Sequence, residues 1–278
     1  MLLRGRRTAR SVGAYFDLIT DDGRLFYGDS FHLGYFAEGV DTLGAALEAH
    51  TDLVAGLARV DAAGSVLDVG CGLGAPALRI ARRDGCRVTG VNISREQVRQ
   101  GRELIAGEGL SDRVAIERGD ARALEFPDDS FDAVVCLEAA GDICVKESDK
   151  DGLVSELFRV LRPGGHVGFS DLAMRTCPSR GEDRVLRAVL YHSGAELVSD
   201  WPAIFVRQGF RVVECRDILE QTLPTWGHAR AVYERRAAEV KRRYGRRLAA
   251  RTFEQLDQIQ EILAAYGTVP SLSAQKPV

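Results

Sequence analysis

Between residues 65 and 172 short apolar runs alternate with amphipathic stretches, and each apolar run closes on small or acidic residues. SVLDVG (65–70), RVTGVN (87–92), VAIERGD (114–120), FDAVVCLEA (131–139) and HVGFSDL (166–172) read as buried strands of a parallel sheet. The stretches between them read as helices. Pro76 suits a first helical turn, where its missing N–H costs nothing. Ser94 with Gln97 three residues on has the spacing of a reciprocal helix cap. RPGG after ELFRVL reads as a helix stop. Strands and helices alternating at this pitch predict an α/β fold with helices on both faces of a parallel sheet.

The flanks depart from that rhythm. Residues 1–60 read as a helical cap carrying Tyr15, Phe16, Phe26, Tyr27, Phe31, Tyr35 and Phe36. Residues 61–172 form the core, 173–208 a lid insertion, and 209–278 the end of the sheet with C-terminal helices. Within the last part, FRVVECRD (210–217) reads as a sixth strand, and residues 228–252 as one long basic helix. Glu234 and Glu239 interrupt its charges, which spread over several faces, so a solvated or oligomer-facing surface is expected rather than a grip on nucleic acid. The tail TVPSLSAQKPV is expected to hold a last strand at the sheet edge, with Pro270 counting against it.

Composition removes several classes of function. A length of 278 residues fits one enlarged domain, and a net charge of −3 provides no basic field for nucleic acid. No apolar run approaches the ~18 residues of a membrane span, and no apolar stretch follows the basic start as in a signal peptide. The six cysteines lie far apart, which reads as reduced thiols in a cytoplasmic protein. His and carboxylate residues show no ligand spacing, so no metal is expected.

The chemistry gathers where the first strand ends. In Asp68-Val-Gly70-Cys71-Gly72-Leu-Gly74 the glycines permit positive φ and close approach of a ligand, at the crevice where open α/β sheets bind nucleotides. Gly70-x-Gly72-x-x-Ala75 also satisfies the dinucleotide pattern, but the second strand ends in Asn92 where that pattern asks for a carboxylate. Taken together, LDVGCGLG, GVNISREQ, the GD pair at 119–120, DDSFDAVVCLEA and LRPGG resemble the class I S-adenosylmethionine-dependent methyltransferases, over residues 62–172. The resemblance implies a Rossmann-like, mostly parallel seven-stranded sheet, S-adenosylmethionine as cofactor and S-adenosylhomocysteine as product. It further implies a nucleoside site made by Asp68, Gly70, Cys71, Gly72, Gly74, Asn92, Ile93, Gln97, Asp120, Ala121 and Leu137. There Asn92 would bond the ribose, Gln97 would be either a ligand contact or only a helix cap, and Asp120 would accept from the adenine amine beside the Ala121 N–H.

GVNISREQ and the upstream YFDLITDDGRLFYGDSFHLGYF narrow the resemblance to the branch holding sterol and tocopherol methyltransferases, cyclopropane fatty acid synthases and natural-product methyltransferases. That branch often carries His-Tyr-Asp where this chain has Tyr15-Phe16-Asp17. It implies a hydrophobic small-molecule acceptor of specialised metabolism, with self-association left open. In-line displacement at a sulfonium asks mainly for alignment, and a hydroxyl acceptor adds the need for a base. Related O-methyltransferases commonly place a histidine after the fourth strand, where this chain has Gly141 and Asp142. The catalytic candidates are therefore Glu138, Asp171 and His192, with Tyr15, Tyr27 and His32 facing the substrate. The missing histidine leans the expectation toward C-methylation of an alkene or electron-rich carbon, with aromatic faces stabilising a cation. O-methylation of a natural product is the alternative, and a non-catalytic S-adenosylmethionine-binding subunit the reading of another class.

Overall fold

The computed structural model describes residues 8–60, 64–144, 146–190 and 197–278. Two helices open the chain, α1 (Ala9–Tyr27) and α2 (Leu43–Leu57), capped by the Thr8 and Thr42 hydroxyls. The expected alternation follows as β1 (Ser65–Val69), α3 (Ala75–Asp84), β2 (Arg87–Asn92), α4 (Arg95–Gly107), β3 (Val114–Arg118) and β4 (Phe131–Leu137). After α5 (Ala140–Ile143) and α6 (Glu147–Val160) comes β5 (Leu161–Ser170), and these five strands pair in parallel, in the order β3-β2-β1-β4-β5.

The period-two pattern of the strands sorts their side chains onto two faces. Leu67, Val69, Val134 and Phe169 pack with Leu153 and Leu157 of α6 on one face. Val66, Val88 and Val135 pack with Val54 of α2, Leu78 and Ile80 of α3 and Val98 of α4 on the other. Both faces are thereby buried, which is why these strands read as continuous apolar runs.

The remainder of the chain, from β5 onward, departs from the expectations in three places. It contains β6 (Ala173–Met174), α7 (Arg180–Val189), α8 (Trp201–Arg207), β7 (Arg211–Asp217), α9 (Leu219–Thr222), α10 (Pro224–Arg235), α11 (Ala237–Tyr244), α12 (Arg246–Tyr266), β8 (Gly267–Thr268) and β9 (Pro270–Gln275). The tail strand β9 is interior, not an edge. It runs antiparallel between β5 and β7, completing seven strands among the described residues, and β7 is the edge. Pro270 is tolerated because it is the first residue of β9, opposite Asp217. The expected basic helix is three helices, broken at Arg236 and at Gly245, whose φ is 82°. Helix α6 does stop before Pro163, but RPGG lies inside β5, where Gly164 and Gly165 exchange bonds with the Lys276 backbone. A third apolar cluster, with Leu33, Leu172, Met174, Leu186, Trp226, Ile259 and Leu263, joins the N-terminal segment to α7, α10 and α12 beyond the end of β5. No helix among the described residues is long and apolar enough to cross a membrane.

Candidate active site

At the carboxyl ends of the parallel strands a cleft of about 890 Å³ opens, lined by the loop after β1, the end of β2, residues 119–122, residues 137–143, α1 and residues 29–32. The glycine loop is folded back on β2: the N–H groups of Gly70 and Cys71 donate to the Val91 carbonyl at 2.8 and 3.2 Å. Asn92 then latches it, its amide donating to the Gly72 carbonyl at 3.0 Å and to Gln97 Oε1 at 2.7 Å. Gly72 has φ 56° and open space where a Cβ would stand, so its backbone faces the cleft bare. Gly74 has φ 82°, and a Cβ there would lie 2.6 Å from Ile116 Cδ1, which brings α3 close to the sheet.

Ser94 caps α4 by accepting from Gln97 N at 3.1 Å. The reciprocal half of the cap is absent, because Gln97 turns its oxygen to Asn92 and the Ser94 N–H goes to Asn92 Oδ1 at 3.3 Å. Gln97 is thus held at the cleft wall. Helix α1 crosses the start of α4, where Asp17 Oδ1 accepts from the Ser94 hydroxyl at 2.6 Å and from Glu96 N at 3.0 Å. This docking turns Val12 and Phe16 into the cleft.

Three buried polar atoms of the lining have no partner among the described residues: Asp68 Oδ2, Glu138 Oε1 and His32 Nε2. Burial pushes Asp68 up to about 7. Burial and the charges of Asp171 and Asp142 push Glu138 well above the ordinary carboxyl range. Glu138 also holds φ 52°, a left-handed conformation fixed by its N–H donating to the Ser170 carbonyl at 2.7 Å. Burial, with the nearby Glu138 charge, drives the Tyr27 phenol up to about 12. His32 Nδ1 lies 2.8 Å from the Leu33 carbonyl, which only accepts, so Nδ1 carries the proton and the buried Nε2 keeps its lone pair, on a residue that lines the cleft. Burial lowers His32 to about 4, leaving the ring neutral at physiological pH.

Asp68, Gly70, Cys71, Gly72, Asn92, Ile93, Gln97, Asp120, Ala121, Leu137, Glu138 and His32 all line this one cleft. Gly74 stands behind it. Tyr15 and Tyr27 are not in the lining; Tyr15 packs edge-on against Phe16 with ring centroids 5.4 Å apart. Asp171 is not in the lining either: its Oδ2 accepts from Gly141 N at 3.0 Å, behind the cleft wall, and burial raises it to about 7. His192 lies outside the described residues. Sequence reasoning missed Val12 and Asp29, which the N-terminal segment brings to the cleft, and Arg122 and Ile143, which lie beside predicted residues but carry no motif signal.

The lining suits a cationic nucleoside better than a pyrophosphate. Its carboxyls are Asp29, Asp68, Asp120, Glu138 and Asp142, and its guanidinium is Arg122. Arg122 is committed to Asp120 at 2.7 Å and to Asp149 at 3.2 Å, an arrangement that also holds Asp120 below its ordinary range. A buried Asp68 without a counter-charge calls for a positive ligand group, and the bare backbone at Gly72 leaves room beside it. A family model described as "Methyltransferase domain" matches residues 66–165. Methyltransferase GfsG of Streptomyces halstedii is 35% identical over 222 residues, covering 78% of each chain. The chain belongs to the class I S-adenosylmethionine-dependent methyltransferases.

The 27-O-demethylrifamycin SV methyltransferase of Amycolatopsis mediterranei is 30% identical, over 82% of this chain and 83% of its own. Among solved structures the [4+2]-cyclase SpnF superposes with a TM-score of 0.80 at 29% identity, covering 98% of both chains. The cofactor of this methyltransferase is S-adenosylmethionine, which supplies an electrophilic methyl group on a sulfonium leaving group. Asp68, the glycine loop, Asn92, Gln97 and Asp120 line one part of the cleft, and α1 with residues 29–32 and 138–143 lines the rest.

Proposed function

We propose that this methyltransferase methylates a hydroxyl oxygen of a hydrophobic small molecule of specialised metabolism. The observation that carries the reading is His32 Nε2, an unprotonated acceptor with no partner among the described residues, on a side chain that lines the cleft. The acceptor hydroxyl would donate its hydrogen bond to this nitrogen, which would hold the oxygen in place for transfer. S-adenosylmethionine would supply the methyl group and the sulfonium leaving group that keeps the electron pair, and His32 would take the hydroxyl proton. Val12, Phe16, Phe31 and Ile143 provide the apolar walls that exclude water. The lean toward carbon rested on the missing histidine after the fourth strand, and a histidine from the N-terminal segment stands in the cleft instead. The similarity to a methyltransferase named for an oxygen of rifamycin supports a natural-product acceptor.

Mass spectrometry of reactions between deuteromethyl cofactor and a panel of hydroxylated natural products tests this, with wild type and His32→Ala side by side. The label is expected on oxygen, and His32→Ala should lower kcat by about 10²–10⁴ while S-adenosylhomocysteine binds with unchanged heat. Label on carbon, or an undiminished kcat in His32→Ala, overturns the reading.

A further inference from the structure

His50, on α2, is a buried titratable group that the chemistry above does not use. Its Nδ1 lies 2.7 Å from the Leu33 carbonyl and its Nε2 2.9 Å from Ser170 Oγ. The carbonyl can only accept, so Nδ1 carries the His50 proton, Nε2 accepts, and the Ser170 hydroxyl donates to it. Ser170 in turn receives a bond from Ser271 Oγ at 2.8 Å, across the β5–β9 ladder where these two residues face each other. The direction of every bond is therefore assigned, from the centre of the sheet out to Leu33.

The Leu33 carbonyl is shared. It accepts from His50 on the sheet side and from His32 Nδ1 on the cleft side, and the two rings meet edge to face at 5.7 Å. The N–H of the same peptide plane, that of Gly34, donates to Thr225 Oγ1 at 2.9 Å. A peptide beside glycine is otherwise free to turn, and here it is clamped at both ends. The tautomer of a neutral imidazole follows the bond made by its other nitrogen, so whatever orients this carbonyl decides which nitrogen of His32 faces the cleft.

We propose that His50 is a positioning residue: it ties the Leu33 carbonyl to the sheet and so keeps His32 as the Nδ1–H tautomer, with its Nε2 lone pair on the acceptor side. The proposal rests on the reading of His32 as the base. Both rings stay neutral near pH 7. Burial lowers His32 to about 4 and His50 to about 3, the latter helped by His32, and the Leu33 carbonyl is the group opposing both shifts.

The test is long-range ¹H–¹⁵N spectroscopy of ¹⁵N-imidazole-labelled protein saturated with S-adenosylhomocysteine, which needs no acceptor. Wild type is expected to show His32 protonated on Nδ1 alone. His50→Asn places an amide nitrogen where Nδ1 stood and should keep that signature. His50→Phe fills the space without either bond and should give a mixed His32 tautomer, with kcat lowered by up to about 10²-fold at unchanged acceptor KM and unchanged S-adenosylhomocysteine affinity. His50→Gln reaches Ser170 but not Leu33 and should behave as His50→Phe, so it carries the test if the phenylalanine variant does not fold. A His32 that remains purely Nδ1–H in His50→Phe or His50→Gln overturns the proposal. Failure of the base reading looks different, because His32→Ala would then turn over normally whatever the spectra of the His50 variants show.

Discussion

The two halves of the cleft are built on opposite principles. The half we assign to the cofactor comes from consecutive strand ends within residues 68–122, and its polar groups mostly satisfy one another: Asn92 holds Gly72 and Gln97, Ser94 holds Asn92, and Arg122 holds Asp120. The acceptor half is assembled from α1, residues 29–32 and residues 138–143, and it contains two unpartnered buried atoms, His32 Nε2 and Glu138 Oε1, plus the left-handed Glu138 backbone. Each unpartnered buried group costs about 1–3 kcal/mol, and the left-handed conformation a comparable amount of roughly 1–3 kcal/mol. The contrast teaches where chemistry is expected. A half that grips a constant ligand is locked in advance, whereas the half that must exchange protons or hydrogen bonds with an acceptor holds unmet capacity in reserve.

The severest way to break the contrast is Gly74→Val. It forces a β-branched residue to φ 82° and sets its Cβ 2.6 Å from Ile116 Cδ1. Backbone strain of about 1–3 kcal/mol adds to overpacking of roughly 1–3 kcal/mol, and the loop geometry is lost with it. A large fall in the thermal midpoint by circular dichroism is expected, together with no measurable heat of S-adenosylhomocysteine binding. A variant with normal melting and binding would show that the loop is not locked as described.

Next in size is Asp68→Asn, aimed at the one unpartnered group of the cofactor half. Removing a charge-assisted contact worth about 1.5–3 kcal/mol should weaken S-adenosylmethionine by about 10- to 150-fold, read by calorimetry. The pH dependence has a definite sign. Free Asp68 sits at about 7, above the ordinary 3.8, so the folded ligand-free protein binds more protons than the unfolded chain between those values. This group's contribution to stability therefore falls as pH rises through that window. A cationic ligand beside Asp68 favours the carboxylate, so binding just below pH 7 releases a proton, and binding well above it releases none. Calorimetry in buffers of different ionisation enthalpy measures that release, which should vanish in Asp68→Asn. Release that persists in the variant would assign the proton to another carboxyl, Glu138 or Asp171.

The same division explains what was legible in the sequence. Strand β2 spans the expected Arg87–Asn92, and the glycine loop lies where it was read, because both depend on apolar runs and turn residues close together in the chain. The interior place of β9 was not legible: its register with β5 and β7 is set by pairing across distant segments, and Pro270 signalled only that the strand's start is special. Gln97 shows a local rule overridden, since its spacing from Ser94 fits a cap but Asn92 competes for its oxygen. Asp171 is a candidate only from its place at the end of the fifth strand, and the backbone at the start of α5 presents Gly141 N to it. His32 could be nominated as a substrate-side residue, but its tautomer depends on a carbonyl that His50 and Ser170 hold from other elements.

The finest probe of the acceptor half is Glu138→Gln, because it separates two roles for one side chain. If Glu138 were an ionised base, the amide would abolish its function and kcat would fall by about 10²–10⁴. The structure favours the other role: burial, with the charges of Asp171 and Asp142, raises this carboxyl well above its usual range and so favours the protonated acid. A neutral acid and an amide both donate one hydrogen bond from nearly the same place. The loss should then be no more than about tenfold, the size of one neutral hydrogen bond at about 0.5–1.5 kcal/mol, with S-adenosylhomocysteine affinity retained. The two enzymes should also diverge with pH. As pH rises through the raised ionisation of Glu138, wild type exchanges a donor for a carboxylate and loses turnover, while the glutamine variant, having nothing to ionise there, does not share that limb. A kcat profile in which both fall together would move the titrating group elsewhere, and a hundredfold loss at neutral pH would return Glu138 to the role of base.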